Sequence, residues 1–260
     1  MARHVATDHW VQHPGGRIFA RQWEPETAAR AAAPIVLLHD SLGCVERWRD
    51  FPGALSELTG RRVIAYDRWG FGRSDPRPDI PSVDFIAEEA SDHFPYLSEQ
   101  LELERFVLLG YSVGGGMAVE IAAVMPAACE ALITISAQMF AEDRTLEGIQ
   151  AAKEKFADPA QLRRLVRYHG TKAQWVVDAW TNVWLDPAFA SWTLAPVLPR
   201  IECPMLVIHG DQDEFGSEAH PRLIERLVPR AEIHLLPRVG HMPQRESADL
   251  VYSFIGRFLS

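Results

Sequence analysis

Three residue types that together cleave carbonyl compounds occur in this chain in a fixed order. Ser112 is the centre of the stretch GYSVG, Asp211 and Asp213 follow in HGDQDEF, and His241 follows in VGHMPQRE. A serine hydroxyl is a poor nucleophile unless a base accepts its proton and an acid orients that base. The order therefore indicates nucleophilic attack by Ser112, with His241 as the base and one of the two aspartates as the acid.

The segment around Ser112 has the pattern of a strand, a tight turn and a helix. The apolar run FVLLG precedes the serine, and the helical pattern VGGGMAVEIAAV follows it. Glycines on both sides permit a strained turn that larger side chains would block. The G-x-S-x-G pattern alone is weak, because most chance matches are structural turns. The strand before it and the helix after it are the context that a nucleophile requires.

The rest of the chain alternates between short apolar runs and helical patterns. We expect a hairpin over 9–23 and buried strands over 34–40, 62–67, 105–110, 130–136, 204–210 and 231–237. Helical patterns cover 49–59, 83–103, 113–125, 218–228 and 245–259. This alternation predicts an α/β fold with a mostly parallel, doubly wound sheet and helices on both faces.

One region interrupts the alternation. More than sixty residues after position 136 carry no strand signal, but they contain helix signals such as the N-cap Asp158 and the terminating Gly170. We expect residues 137–198 to form a helical cap over the carboxyl ends of the strands, where open α/β sheets bind ligands. Residues 1–136 and 199–260 would then form the core, and core and cap would make one integrated domain.

Composition excludes several classes of function. The 260 residues carry a formal net charge of −9 and no Lys/Arg-rich block, which argues against nucleic-acid and anionic-membrane partners. No apolar run reaches spanning length and the first residues lack a signal core, so we expect a cytoplasmic protein. The three cysteines, Cys44, Cys129 and Cys203, are too few and too scattered for a disulfide framework or a zinc cluster. We expect no metal and no cofactor.

The motifs LLHDSLG, YDRWGFGRSD, GYSVGGG, HGDQDEF and VGHMPQRE occur in this order along the chain. On these motifs the chain resembles serine hydrolases of the α/β-hydrolase superfamily, of the capped esterase and lactonase type. The resemblance spans nearly the whole chain and implies a cap inserted after the sixth strand. It also implies an acid three residues after Gly210, which favours Asp213 over Asp211. The motifs are specific for the fold and the triad, and they are nearly silent about the substrate.

An oxyanion hole needs two backbone N–H groups directed at the developing negative charge. Val113 supplies one as the residue after the nucleophile, and the resemblance places the second at Ser41. Asp40 stands where similar hydrolases have glycine. In the interpretation that we prefer, aspartate tolerates a left-handed backbone and the loop is unchanged. In the alternative, its carboxylate lies near the pocket and disfavours anionic substrates.

The predicted function is hydrolysis of small, apolar carboxylic esters or lactones through an acyl-enzyme. Trp180 and Trp184 lie four residues apart on one helical face and are candidates for an apolar pocket wall, although packing of the cap on the core would also explain them. Two rival functions stay open. One is cleavage of a carbon–carbon bond by the same triad, as a hydrolase or as a lyase. The other is ligand binding without turnover.

Overall fold

The computed structural model describes residues 4–26 and 32–260 of the chain. One sheet has the strand order β1-β2-β4-β3-β5-β6-β7-β8. The strands are β1 (His4–His13), β2 (Gly16–Pro25), β3 (Ile35–Leu38), β4 (Val63–Tyr66), β5 (Phe106–Tyr111), β6 (Cys129–Ile135), β7 (Met205–Gly210) and β8 (Glu232–Leu236). The hairpin β1–β2 and the pair β2–β4 are antiparallel, and the other neighbouring pairs are parallel. The predicted fold class, α/β with a mostly parallel sheet, is confirmed.

Ten α-helices surround the sheet in the described part of the chain. They are α1 (Phe51–Thr59), α2 (Phe85–Glu88), α3 (Phe94–Gln100), α4 (Val113–Val124), α5 (Asp143–Phe156), α6 (Pro159–His169), α7 (Ala173–Trp184), α8 (Ala219–Leu227), α9 (Pro243–Glu246) and α10 (Ala248–Phe258). A π-helical turn, Glu89–His93, joins α2 to α3, so the single helix predicted over 83–103 is interrupted. Across these described helices, none combines the length and the apolar character needed to cross a membrane.

The central strands are buried on both faces, and their side chains alternate between two hydrophobic cores. In β3, Ile35 and Leu37 belong to the core that contains residues of α1 and α10. Val36 and Leu38 belong to the opposite core, which contains residues of α4 and α8. Successive side chains of a strand point to opposite faces, so a continuous apolar run is what a doubly wound sheet requires.

The segment between β6 and β7 is helical, and its long helices α5, α6 and α7 are called the insert helices below. The side chain of Asp158 accepts a hydrogen bond from the Ala160 N–H at 2.8 Å and caps α6, as the sequence predicts. Gly170 follows the last residue of α6 with a φ of 58°. The division between core and cap at residues 137 and 198 stays a prediction.

The chain enters and leaves the insert helices through a paired stem. Phe140 and Thr193 form an antiparallel bridge. The Ala141 N–H donates to the Trp192 carbonyl at 3.0 Å, and the Leu194 N–H donates to the carbonyl of residue 139 at 2.7 Å. The two ends of this excursion therefore lie side by side.

Candidate active site

Ser112 occupies a strained turn between β5 and α4. Its φ of 56° and ψ of −128° lie in a region of backbone conformation that residues other than glycine rarely adopt. The turn is too tight for larger neighbours, since a Cβ on Gly110 would lie 2.2 Å from the Gly114 carbonyl oxygen. The Ser112 N–H donates to the Ile135 carbonyl at 2.9 Å, which ties the turn to β6. The hydroxyl is thus held at the N-terminal end of α4.

The structure brings Ser112, His241 and Asp213 together in one line of contacts. Nε2 of His241 lies 3.0 Å from Oγ of Ser112. Nδ1 of His241 lies 2.8 Å from each carboxylate oxygen of Asp213. A carboxylate accepts the Nδ1–H, so Nε2 is left with a lone pair directed at the serine hydroxyl.

The two candidate acids have different surroundings. Asp213 is buried and also accepts hydrogen bonds from the N–H groups of Phe215 and Gly216, at 2.8 and 3.1 Å. Burial works to raise the pKa of Asp213, but the hydrogen bond and the charge of His241 outweigh it, and the pKa lies below its usual value. Asp211 is exposed and accepts the Arg238 N–H at 2.6 Å. Of the two aspartates, the structure places Asp213 against His241 and Asp211 on a neighbouring turn.

Two glutamates hold the loop that carries His241. Glu246 accepts hydrogen bonds from the Gly240 N–H at 2.8 Å and from the Met242 N–H at 2.9 Å. Glu214 accepts the His241 N–H at 3.3 Å. Sequence reasoning missed both residues. For Glu246 there is a local signal, because it lies in the short helix α9 directly after the histidine loop.

The buried His220 links Glu142, the residue before α5, to the helix that follows the Asp213 loop. Glu142 accepts hydrogen bonds from Ser217 N–H and Oγ–H at 2.6 and 2.8 Å, and its carboxylate lies 3.0 Å from Nε2 of His220. Nδ1 of His220 accepts the Met139 N–H at 3.1 Å. Burial lowers the pKa of His220 to about 4. Sequence reasoning missed this cluster, and no local pattern marks it, because its members are far apart along the chain.

A third histidine joins α6 to the core. The Gly72 N–H donates to Nδ1 of His169 at 2.9 Å, and Nε2 of His169 lies 3.2 Å from the carbonyl oxygen of Leu42, the residue after Ser41. Burial lowers the pKa of His169 to about 4, so the ring is neutral at pH 7. The neutral ring accepts one backbone hydrogen bond and donates another, which fixes the loop after β3.

A cavity of about 160 Å³ opens above Ser112 and His241. Ser41 lies in its wall, and Val113 is the first residue of α4. Trp180 and Trp184 also line it. The other apolar lining residues are Leu42, Ile149, Phe215 and Met242. The cavity therefore combines the predicted catalytic groups with a mainly apolar wall.

Asp40 does not adopt the backbone expected of it. The described non-glycine residues with positive φ are Arg49, Glu102, Ser112, Ser136 and Arg238, so the left-handed interpretation of Asp40 is wrong. Asp40 instead lines the cavity beside Ser112. The loop tolerates an aspartate here because the position needs no left-handed conformation. The effect of the carboxylate on anionic substrates stays a prediction.

Comparison with known families and proteins agrees with this architecture. The family described as "Alpha/beta hydrolase family" matches residues 35–254. The 2-hydroxymuconate semialdehyde hydrolase of Pseudomonas sp. (strain CF600) is 26% identical over 255 residues, which cover 88% of each chain. The human serine hydrolase BPHL is 28% identical, over 83% of this chain and 75% of its own length.

Solved structures show the same fold. The enol-lactonase from Burkholderia xenovorans LB400 has a TM-score of 0.75 and 20% identity, with 96% of this chain and 99% of the enol-lactonase covered. The proline iminopeptidase from Mycobacterium smegmatis has a TM-score of 0.76 and 22% identity, with 97% of each chain covered. At sequence identities this low, the similarity to the solved structures shows the fold alone.

Proposed function

Since this chain belongs to the alpha/beta hydrolase family, we propose that it is a serine hydrolase that cleaves carboxylic esters or lactones through an acyl-enzyme. One observation carries the proposal. Ser112, His241 and Asp213 form a continuous line of contacts of 3.0 and 2.8 Å at the floor of an open cavity. This is the arrangement that nucleophile, base and orienting acid require.

In the first half of the reaction, Ser112 Oγ attacks the substrate carbonyl while Nε2 of His241 takes the hydroxyl proton. Asp213 holds the imidazole in the productive tautomer and stabilises the imidazolium. The N–H groups of Val113 and Ser41 bind the oxyanion of the tetrahedral intermediate. Collapse of the intermediate breaks the bond to the alcohol, which leaves with the proton from His241.

In the second half, His241 takes a proton from water as the water attacks the acyl-enzyme. The tetrahedral intermediate forms again in the same oxyanion hole. Its collapse releases the carboxylic acid and returns the proton to Ser112 Oγ. A lactone follows the same steps, but the alcohol stays attached to the acyl group until water releases both as one hydroxy acid.

The cavity favours substrates with an apolar acyl or alcohol group. Trp180, Trp184 and Phe215 form much of its wall, and burial of apolar surface contributes about 25 cal/mol per Å². With a volume of about 160 Å³, the cavity suits small substrates.

The experiment is a comparison of turnover by the wild type and by Ser112→Ala. The panel contains 4-nitrophenyl esters of graded acyl length, small lactones and a vinylogous diketone. We expect esters or lactones to be hydrolysed, and the variant to lose at least about a thousandfold in kcat. If none of the esters and lactones is hydrolysed, the proposal is wrong. If no compound of the panel is turned over, ligand binding without turnover becomes the better interpretation.

A second candidate function is hydrolysis of a carbon–carbon bond by the same triad. Two relatives favour it, namely the 2-hydroxymuconate semialdehyde hydrolase and the 2-hydroxy-6-oxo-2,4-heptadienoate hydrolase of Pseudomonas putida, each 26% identical to this chain. Faster turnover of the vinylogous diketone than of any ester in the same panel would favour this candidate over the first.

A further inference from the structure

A second cavity lies beside the one that contains Ser112. Its volume is about 310 Å³, and it shares Asp40, Arg47 and Tyr111 with the first cavity. Its other walls come from the segment between β3 and α1 and from α9 and α10. The proposed reaction uses none of the residues that line the second cavity alone, so another role for them has to be sought.

Three arginines, Arg47, Arg49 and Arg245, line this second cavity. Within the described residues, none of the three forms an ion pair with a carboxylate. A guanidinium N–H of Arg245 donates to the Arg47 carbonyl at 2.7 Å, which brings α9 against the segment before α1. Burial and then the charges of Arg47 and Arg49 lower the pKa of Arg245. The three guanidinium groups are therefore close enough to repel one another, and none of them is paired directly with a carboxylate.

Negative groups in the same walls do not cancel this charge. Asp40 and Asp50 also line the cavity, so three guanidinium groups face two carboxylates. The carboxylate of Asp40 is folded over Gly43, where a Cβ would lie 2.3 Å from its Oδ1. Burial holds the pKa of His39 well below its usual value, so this histidine is neutral. The walls keep an excess of one positive charge.

Buried polar atoms in the lining have no partner. Nε of Arg47, Nε1 of Trp48 and Oε1 of Gln244 are buried and make no hydrogen bond to any residue that the structure describes. Trp48 and Gln244 are 7% and 8% exposed, and all three residues line the cavity. Buried polar groups are normally hydrogen-bonded. Arg47 Nε and Trp48 Nε1 can only donate, so the partner that these two atoms lack is an acceptor. Oε1 of Gln244 lacks a donor, which an oxyanion does not supply.

Arg49 adds a second feature that is typical of binding sites. Its φ of 55° and ψ of −125° resemble the strained backbone of Ser112. A non-glycine residue keeps such a conformation only where its surroundings impose it, and such residues cluster at active sites and ligand-binding sites.

We propose that the second cavity binds an oxyanion, either a carboxylate or a phosphate, that is carried by the substrate whose carbonyl Ser112 attacks. The link to the substrate rests on the proposed function. Guanidinium groups bind both kinds of oxyanion through paired N–H donors. The indole N–H of Trp48 adds a neutral donor. The oxyanion thereby supplies negative charge beside the three arginines and the acceptors that Arg47 Nε and Trp48 Nε1 lack.

The first test measures binding, which needs no turnover. Calorimetric titration with hexanoate, hexyl phosphate and neutral hexanamide compares the two oxyanions with an uncharged analogue. We expect at least one anion to bind about tenfold or more tightly than hexanamide. The anion with the higher affinity identifies the source of the oxyanion. If the carboxylate of Asp40 repels anions strongly, neither anion will bind more tightly than hexanamide. That result would show that the proposal is wrong.

Matched variants distinguish binding of the anion at the second cavity from attraction by the overall charge of the protein. Arg245→Gln should reduce the preference for the anion about tenfold, and Arg49→Gln serves in its place if Arg245→Gln does not fold. Arg105→Gln removes a charge next to the amino end of β5, at the opposite end of the sheet, and should leave the preference unchanged. Equal losses in the Arg105 and Arg245 variants would overturn the proposal.

The second test concerns the substrate. We expect kcat/KM for the mono-4-nitrophenyl ester of glutarate to exceed that for 4-nitrophenyl pentanoate, and this ratio to fall in Arg245→Gln. If hexyl phosphate is the better ligand, a 4-nitrophenyl ester with a terminal phosphate replaces the glutarate. Anion binding without ester turnover would contradict the proposed function and not the anion site. Ester turnover without anion binding would contradict the anion site alone.

Discussion

Both carboxylate oxygens of Asp213 lie 2.8 Å from Nδ1 of His241. The carboxylate thus accepts the Nδ1–H and fixes the orientation of the imidazole, and the lone pair of Nε2 is available to a proton donor. Because the Asp213 side chain is buried, solvent does not compete for its carboxylate.

Replacement of the acid tests this relationship. An asparagine keeps the size of Asp213 but can present an N–H group to His241, which stabilises the wrong tautomer. We expect Asp213→Asn to lose roughly 10⁴-fold in kcat, the loss known for the same change in a serine protease. The measurement is steady-state kinetics with a chromogenic ester.

Asp211→Asn is the matched control, because Asp211 accepts a backbone N–H and does not contact His241. Its kcat should change by less than about tenfold. A larger loss in Asp211→Asn than in Asp213→Asn would show that the acid is misassigned.

The strain at Ser112 predicts opposite effects on activity and stability. Ser112→Gly and Ser112→Ala both remove the proposed nucleophile and should be inactive. Glycine adopts the φ of 56° without strain, whereas alanine keeps the strain. We expect Ser112→Gly to have a free energy of unfolding about 1 kcal/mol higher than Ser112→Ala, measured by urea denaturation. A lower value for the glycine variant would mean that the turn is not strained.

His169 predicts a loss of stability in mild acid. Its pKa is about 4 in the folded protein, below the value of about 6.5 in an unfolded chain, so the unfolded state binds the proton first. The free energy of unfolding therefore falls as the pH decreases from about 6.5 towards 4, by about 2 kcal/mol at pH 5.

His169→Gln lacks this titration, and its glutamine can accept and donate hydrogen bonds in the same place. We measure the free energy of unfolding by urea denaturation at pH 7 and pH 5. Between these values its decrease should be about 2 kcal/mol smaller for His169→Gln than for the wild type. Parallel losses in the two proteins would show that His169 does not titrate in this range.

The position of Trp180 in the cavity wall predicts that this residue limits the length of the acyl chain that is hydrolysed best. Its ring lines the cavity above Ser112 and lies 6.1 Å from the ring of Phe215, centroid to centroid. Trp180→Ala should enlarge the cavity and shift the maximum of kcat/KM to longer acyl chains. Trp175→Ala is the control on the same helix, because Trp175 packs on Phe71 at 5.4 Å and does not line the cavity. The same shift in both variants would rule out a local effect of Trp180.

The fold was predictable because parallel strands are buried on both faces. Their apolar runs are continuous, and this pattern is visible in residues such as Ile35 to Leu38 without knowledge of the neighbours. The turn at Ser112 was equally visible, since Gly110 is required by the tightness of the turn itself, whereas Gly114 is required by the close approach of Leu38 in β3.

Features that depend on distant residues were not predictable. The Glu142–His220 contact joins residues 78 positions apart, and no local pattern encodes it. The arginines of the second cavity are similarly separated, because Arg245 meets Arg47 across 198 positions. The error on Asp40 has the same origin, since a backbone conformation was inferred from residue type where the neighbouring loop decides it.

The stem formed by Phe140 and Thr193 divides the chain into a part that carries the proposed substrate wall and a part that carries the proposed catalytic residues. The chain leaves the core and returns to it at adjacent points, and the strands before and after the insert helices, β6 and β7, pair directly with each other. A segment exchanged between these two residues would carry Trp180 and Trp184 with it. It would also carry Glu142 and His169, which hold the loop after Asp213 and the loop after β3, whereas Ser112, Asp213 and His241 lie outside it. The proposed substrate wall and the proposed catalytic residues therefore belong to separate stretches of the chain, and a replacement segment has to restore the contacts of Glu142 and His169 as well as the wall.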